Sequence, residues 1–303
     1  MSKRASVEGQ AALLARARRR RNLTGYLFLG PSLIALLTFL VLPIFLVIWL
    51  SFHEWNLLGP VRFVGLQNYE WMFTNPTLAK SLAVTALFVL LVIPVQTALG
   101  LMMALLIQRG LPGTGAFQVL LVIPWVSAPI ALGMVWRWIL SYSDGILNSI
   151  IGQKVPWLTD PTLALPAVAT VAVWQGVGYV ALFFFAGLQN IPRSVYDAAL
   201  LDGVGPLRQL WSITLPLLRP TTFFVLATGI ISSFQVFDIA YALTPDGGPR
   251  GSTDVIAGRI YYEAFASFSV GKASVMALAL LVILVLITVA QQQYFARRTT
   301  YEQ

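Results

Sequence analysis

The chain has 303 residues, of which 57% are hydrophobic and only 11% charged, with a formal net charge of +8 and no cysteine. Soluble domains carry roughly 45–50% apolar and about 25% charged residues, so a water-soluble globule is excluded. Without cysteine there is no disulfide, no thiolate metal site and no cysteine nucleophile, which says nothing about compartment.

A basic tail, residues 1–25, opens the chain with Lys3, Arg4, Arg16 and Arg18 through Arg21. Its Gln10-Ala11-Ala12-Leu13-Leu14 run suits a surface-lying helix better than a twin-arginine export signal. Six apolar runs follow, at 26–52, 82–107, 117–140, 163–188, 216–243 and 273–291. A membrane-crossing helix needs about 20 such residues, and in hydrocarbon every backbone amide must be paired within the segment. The first run is too long for a signal-peptide core and no small-residue cleavage site follows it, so it stays as a helix. The expected fold class is all-α: one six-helix membrane domain over 26–293, a polar loop at 190–219, and a short tail at 294–303. Pro31 and Pro43 fall in the first run, Pro94 in the second, Pro124 and Pro129 in the third, and Gly176 and Gly178 in the fourth. Each is a place where a helix is expected to bend or break.

The placement of the cations decides what the basic charge means. Arg109, Arg193, Arg208, Arg219, Arg297 and Arg298 lie on the side of the tail; Arg62, Lys80, Lys154, Arg250, Arg259 and Lys272 lie opposite. With the tail counted, the excess is one-sided. This is the positive-inside bias, and it puts both termini and the 190–219 loop in the cytoplasm. It argues for topology rather than nucleic-acid binding, with membrane lipids as the surroundings. On the other side, Phe63 to Tyr69, Gly145 to Asn148 and Pro156 to Leu158 mix aromatic and polar residues. That composition fits interfacial anchors and a landing surface for an external partner equally well.

The 190–219 loop is a charged island between two apolar runs. Ser194 and Asp197 have the spacing of a capping box, with a helix expected through Leu200 or Leu201. Asp202-Gly203 then turns the chain into a second short helix at 207–213. Tyr196, Leu200, Leu201, Leu210 and Trp211 are expected on its surface, and an exposed apolar patch rimmed with charge marks a partner site or a helix pair lying on the bilayer. The chain lacks the phosphate-cradling G-x-x-x-x-G-K-[ST] loop, since Gly271-Lys272 is followed by Ala273 without the upstream glycine. It has no ATPase chemistry by that route.

Polar side chains inside the spans are the remaining signal. Gln96, Gln175, Ser232, Ser233 and Gln235 fall at similar depths, with Trp174, Tyr179, Phe234 and Phe237 beside them. An unpaired amide in hydrocarbon costs about 2–7 kcal/mol, so these groups face either a wet path or a partner helix. Aromatic faces with amides and hydroxyls suit a polyol. Asp238 and Arg137 are the ionisable residues within spans. Arg137 lies between Trp136 and Trp138, which fits snorkelling to the interface. Asp238 pairs with a cation or guards an entrance. His53, the lone histidine, reads as interfacial.

One motif ties the island to a family. Asp197-Ala198-Ala199, then Gly203, then Ile213-x-Leu215-Pro216 match Glu-Ala-Ala, three residues, Gly, nine residues, Ile-x-Leu-Pro, with Asp197 in place of the usual Glu. The chain thus resembles the membrane subunits of binding-protein-dependent ABC importers. Phe63-x-Gly65-Leu66-x-Asn68-Tyr69, Gly145-Ile146-Leu147-Asn148, Trp157-Leu158-x-Asp160-Pro161 and Gly247-Gly248-Pro249 place it in the sugar and glycerol-phosphate branch. Ile191-Pro192-Arg193-Ser194 and Asp202-Gly203-x-Gly205-Pro206 lean toward the sn-glycerol-3-phosphate permeases within that branch.

The resemblance implies the type I importer permease (MetI-like) fold and no cofactor in this chain, ATP and Mg being held by a partner ATPase. It implies an ATPase-coupling site at Ser194, Tyr196, Asp197, Ala198, Ala199, Leu200, Asp202 and Gly203. The implied partners are a second, similar permease, an ATPase dimer and an extracytoplasmic solute-binding protein. The implied cargo is a glycerol-phosphate compound, such as sn-glycerol-3-phosphate or glycerophosphocholine, or an oligosaccharide. The substrate path would use Gln96, Trp174, Gln175, Tyr179, Ser232, Ser233, Gln235 and Asp238. The rival reading is an ion-gradient-driven carrier with Asp238 as its coupling acid. A membrane enzyme would need embedded histidines or paired carboxylates, which the runs lack.

Overall fold

The computed structural model describes residues 28–296; the basic tail, Arg297 and Arg298 lie outside them. Helix α1 (Phe28–Ser51) leads into a two-stranded antiparallel ribbon, β1 (His53–Glu54) and β2 (Arg62–Phe63), and then α2 (Gln67–Thr74). Next come α3 (Pro76–Gln108), α4 (Thr114–Val126), α5 (Pro129–Ile139), α6 (Ile146–Ile151) and α7 (Ala164–Gln189). The island forms α8 (Arg193–Leu201) and α9 (Pro206–Leu217), followed by α10 (Arg219–Phe234) and α11 (Asp238–Leu243). The chain ends in α12 (Ile256–Tyr261) and α13 (Val270–Ala296).

Four of these helices are long and apolar enough to cross a membrane, and six spans result if each bent pair counts as one. The bends have local causes. In the third span α4 and α5 meet at 97°, because Pro129 keeps Ala128 extended (ψ 120°) and Ser127 is extended too. In the fifth, α9 and α10 meet at 70°, because Pro220 has no N–H to continue the ladder from Pro216. The expected run 216–243 is therefore not one helix: it begins inside α9, turns at Leu218, and stops at Phe234, with α11 separate. Pro94, by contrast, sits inside an unbroken α3, and Gly176 and Gly178 inside an unbroken α7. Before Pro43 and again before Pro216 the helix widens to a π turn, Leu37–Val41 and Leu210–Thr214. The wider turn moves the carbonyl that the proline ring would strike.

The core lies along α3 and α7. Phe88 and Val92 meet Val168 of α7 and Ile239 and Leu243 of α11; Ile93 meets Phe234, Ile256 and Met276; Ala104 packs with Val180, Phe184 and Leu218. The glycines set the helix spacing. A Cβ on Gly100 would lie 2.4 Å from Val180 Cγ1, and one on Gly178 would lie 1.8 Å from the Leu121 carbonyl oxygen. Thus α4 meets α7 backbone to backbone at Leu121 and Gly178, which only glycine permits.

The loop motifs turn out to be fastenings. Asn68 is buried and donates to the Ser51 and His53 carbonyls (2.9 and 3.0 Å), while the Tyr69 and Ser51 hydroxyls lie 2.7 Å apart. Asn148 donates to the Val155 carbonyl at 3.0 Å and accepts from Trp157 Nε1 at 2.8 Å. Asp144 accepts from Ser141 and Ser143 (2.6 and 2.8 Å), which holds its carboxyl below the usual carboxylate range.

Candidate functional site

Two features stand out, an elbow at one end and a cavity in the helix bundle. The elbow is α8 and α9. Pro192 (φ −60°, ψ 137°) occupies the N-cap of α8, and no side chain caps the helix. The expected capping box is thus absent: proline takes the extended position, and Ser194 falls two residues inside the helix. The far end is closed as the sequence suggests. Gly203 has φ +69°, its N–H bonds the Leu200 carbonyl (3.1 Å), and the Val204 N–H bonds the Ala199 carbonyl (2.9 Å). This is a Schellman cap. The helix shows two faces. Val195, Tyr196 and Ala199 turn inward, with the Tyr196 hydroxyl 3.3 Å from Thr214 Oγ1. Ser194, Asp197, Ala198, Leu200, Asp202 and Gly203 face out, joined by Leu201 (90% exposed) and Trp211 (69%). Tyr196 and Ala199 therefore hold the elbow to the bundle rather than forming its surface, and Leu210 is also partly covered. Leu207, which the sequence reading passed over, is exposed instead.

The cavity, about 400 Å³, opens between α3, α7, α10 and the α4–α5 bend. Gln96, Gln175, Tyr179, Ser232, Ser233, Gln235 and Asp238 all line it. They come together by helical phase. Gln175 and Tyr179 are four residues apart on α7, and Thr228, Ser232 and Gln235 form one stripe at the end of α10. Gly176 makes room for Gln96, whose Nε2 lies where a Cβ would be, 2.4 Å away. Trp125 stacks on Tyr179, ring centres 4.8 Å apart, and so roofs the cavity from the bend. Among the described residues, Asp238 is the one acidic or basic side chain on its wall.

The sequence profile of the family described as "binding-protein-dependent transport system inner membrane component" matches residues 96–301. The chain belongs to this family. The permease is 36% identical over 282 residues to the "probable ABC transporter permease protein YesP" of Bacillus subtilis, covering 90% of this chain and 91% of that one. It is 35% identical to the "trehalose/maltose transport system permease protein MalF" of Thermococcus litoralis (86% and 90% covered). With the "sn-glycerol-3-phosphate transport system permease protein UgpA" of Agrobacterium fabrum it shares 31% (91% and 96%). In fold it is similar to a crystal structure of a bacterial ABC transporter involved in the import of the acidic polysaccharide alginate. That match has a TM-score of 0.82 at 20% identity and covers 94% of this chain and 99% of the other.

The permease is accordingly the multi-pass inner-membrane subunit of an ATP-driven ABC importer and not an enzyme, since nucleotide belongs to a separate ATPase in this family. It works with a solute-binding protein and the other chains of such a transporter. An ion-gradient carrier is not favoured.

Two aromatic residues that the sequence grouped with the cavity lie elsewhere. Trp174 faces Trp136 of α5 in an edge-to-face pair (5.2 Å) and does not line the wall. Trp174 is turned toward α5 by that pairing, while Gln175, Gly176 and Tyr179 carry the side of α7 that meets the cavity. Phe234 is buried in the core beside Ile93 and Met276, whereas Phe237 lines the cavity. Arg137 sits in a separate cleft with Ser141 and Tyr142. Thr228 and Trp125 were missed. Thr228 is readable as the residue four before Ser232, but Trp125 reaches the wall only because the span bends behind it.

Proposed function

We propose that the permease forms one half of the translocation path for a neutral saccharide or glycoside, delivered to it by the binding protein. The observation that carries this reading is the cavity wall. It offers amides, hydroxyls and the rings of Trp125, Tyr179 and Phe237; among the described residues no cation lines it, and Asp238 is its one charge. Amides and hydroxyls pair with sugar hydroxyls, and ring faces cover their apolar sides. A bare phosphate ester would bring two negative charges to a wall that offers only a carboxylate. The relative named for trehalose/maltose agrees with this; the one named for sn-glycerol-3-phosphate does not. Asp238 supports one second reading, a phosphodiester with a cationic head such as glycerophosphocholine.

In this proposal the second wall comes from a similar permease in a heterodimer, and an ATPase dimer grips the exposed face of α8 and α9. The one-sided excess of Lys and Arg supports a cytoplasmic elbow and cytoplasmic termini in this proposal. ATP binding closes the ATPases, draws the elbows together and opens the cavity outward.

The test is ligand-stimulated ATP hydrolysis by the complete reconstituted transporter with its binding protein. The probes are maltose, trehalose, sn-glycerol-3-phosphate and glycerophosphocholine, on wild type and Asp238→Asn. Stimulation by a disaccharide, changed by less than about threefold in Asp238→Asn, is expected, because asparagine keeps a neutral hydrogen bond. Stimulation by glycerophosphocholine that weakens about tenfold or more in the variant selects the second reading, a lost charged contact being worth about 1.5–3 kcal/mol. Stimulation by sn-glycerol-3-phosphate alone refutes both.

A further inference from the structure

A second cavity of about 460 Å³ lies next to the first, and Phe237 is a wall of both. From Phe237 a line of rings leads away from the bundle. Phe237 lies 4.8 Å from Tyr261 and 5.3 Å from Tyr241, and Tyr261 lies 5.1 Å from Phe265. These rings are not core. Tyr241 on α11 is 45% and Tyr261, the last residue of α12, 41% exposed, and α12 runs on into a π turn, Tyr262–Ala266, that carries Phe265.

The polar groups of this cavity are fixed from behind. Asp254 accepts from Ser81 on α3 (3.0 Å), and the adjoining backbone is pinned by Ile256 N–H donating to Thr85 Oγ1 (2.8 Å). Gly248 (φ 70°, ψ −170°) packs so tightly that a Cβ would lie 2.3 Å from Thr253 Oγ1. Arg259 donates through Nη2 to the buried Glu263 (2.9 Å) and lies over the Tyr262 ring at 4.8 Å. Its Nε is buried and, among the described residues, has no hydrogen-bond partner. Arg259, Asp246 and Asp254 all line the cavity.

We infer that this cavity is a second saccharide subsite, a vestibule in which the sugar stacks on Tyr241 and Tyr261 before passing Phe237 into the bundle. The inference rests on the neutral-saccharide reading. Rings exposed side by side offer apolar faces to the C–H side of a pyranose. Asp246 and Asp254, both on the wall, accept from its hydroxyls. Two carboxylates against one arginine already bonded to Glu263 leave no net attraction for an anion. Phe237 gives the ligand one continuous stacking surface from vestibule to cavity.

The chain has no cysteine, so single cysteines report cleanly. Gly258→Cys and Ala266→Cys, on the cavity wall but outside the stacking rings, sample the vestibule, and Gln235→Cys samples the bundle cavity. Each is made in the complete transporter in lipid nanodiscs and labelled with a small methanethiosulfonate, with maltose, trehalose, cellobiose or glycerophosphocholine as probe. At a probe concentration of about twice its Kd, a disaccharide should slow labelling about threefold at both sites, and Tyr241→Ala should abolish the effect in the vestibule alone. Two vestibule reporters guard against one that fails to assemble. Protection at Gln235→Cys but not at either vestibule position overturns the subsite while leaving the cavity reading intact. Protection at neither site by any disaccharide overturns both. Vestibule cysteines that react in the isolated chain but not in the assembled transporter show that a partner covers the rings, and vestibule protection by glycerophosphocholine alone refutes the saccharide assignment.

Discussion

Gly203 illustrates how one residue can control a working surface. Its φ of +69° closes the Schellman cap of α8, and a Cβ placed there would meet nothing within 4 Å. A substitution therefore acts through backbone strain and not through collision. A left-handed conformation costs a non-glycine residue about 1–2 kcal/mol, with asparagine the best tolerated. Gly203→Asn should keep most ligand-stimulated ATP hydrolysis in the reconstituted transporter. Gly203→Val should lose about tenfold of it while the subunit stays inserted, because 1.4 kcal/mol is a factor of ten. Equal turnover in the two variants would detach the cap from coupling. Gly178 makes the contrasting case. Its Cβ would strike the Leu121 carbonyl, so its role is helix contact, which a sequence read for bends cannot distinguish from flexibility.

At the scale of elements, composition marked the apolar runs but not which would stay whole: α1 and α3 pass through Pro43 and Pro94 intact, whereas the third run breaks before Pro129. What was not legible is phase and break angle. Tyr196 and Leu200 are both large and apolar in one short helix, yet Tyr196 turns in to Thr214 while Leu200 turns out. The direction is set by where α9 returns, and that depends on the 70° turn at Leu218. Likewise Gln96, Gln175, Ser232, Ser233 and Gln235 could be grouped by depth, but Trp174, set beside them, turns to Trp136 instead, and Trp125 entered only through the 97° bend. The proposal for the elbow follows from its outer face. Leu201 is 90% exposed at the tip, beyond any contact that folding needs. Leu201→Asp should leave insertion and thermal stability unchanged, since exposed substitutions alter stability by less than about 0.5 kcal/mol. Co-purification of the ATPase with the permease should fall sharply. Undiminished ATPase capture by Leu201→Asp would show that the elbow is held by something else.

For the whole molecule, the distribution of burial says the chain is not a finished unit. Through Phe28–Ser51 only Ser51 is buried, and α4 has no buried residue although it borders the cavity. A helix that lines a polar cavity yet leaves most of its apolar surface uncovered has two neighbours to choose from. Lipid suits α1, at the edge of the bundle. Lipid beside the α4–α5 bend would open the amides and Asp238 to hydrocarbon, where a charge costs about 2.5–3.5 kcal/mol. The heterodimer proposal places the second permease there. Because the chain has no native cysteine, Val119→Cys and Ile123→Cys on the exposed face of α4 give a direct check. Mild oxidation in native membranes, against a partner permease carrying single cysteines on its matching span, should give a cross-linked band with the summed mass of two different subunits. The same oxidation of Leu36→Cys on α1 should give none. A band at twice the mass of this chain would mean that two copies of it meet at α4, and the cavity would then be closed by a second identical wall.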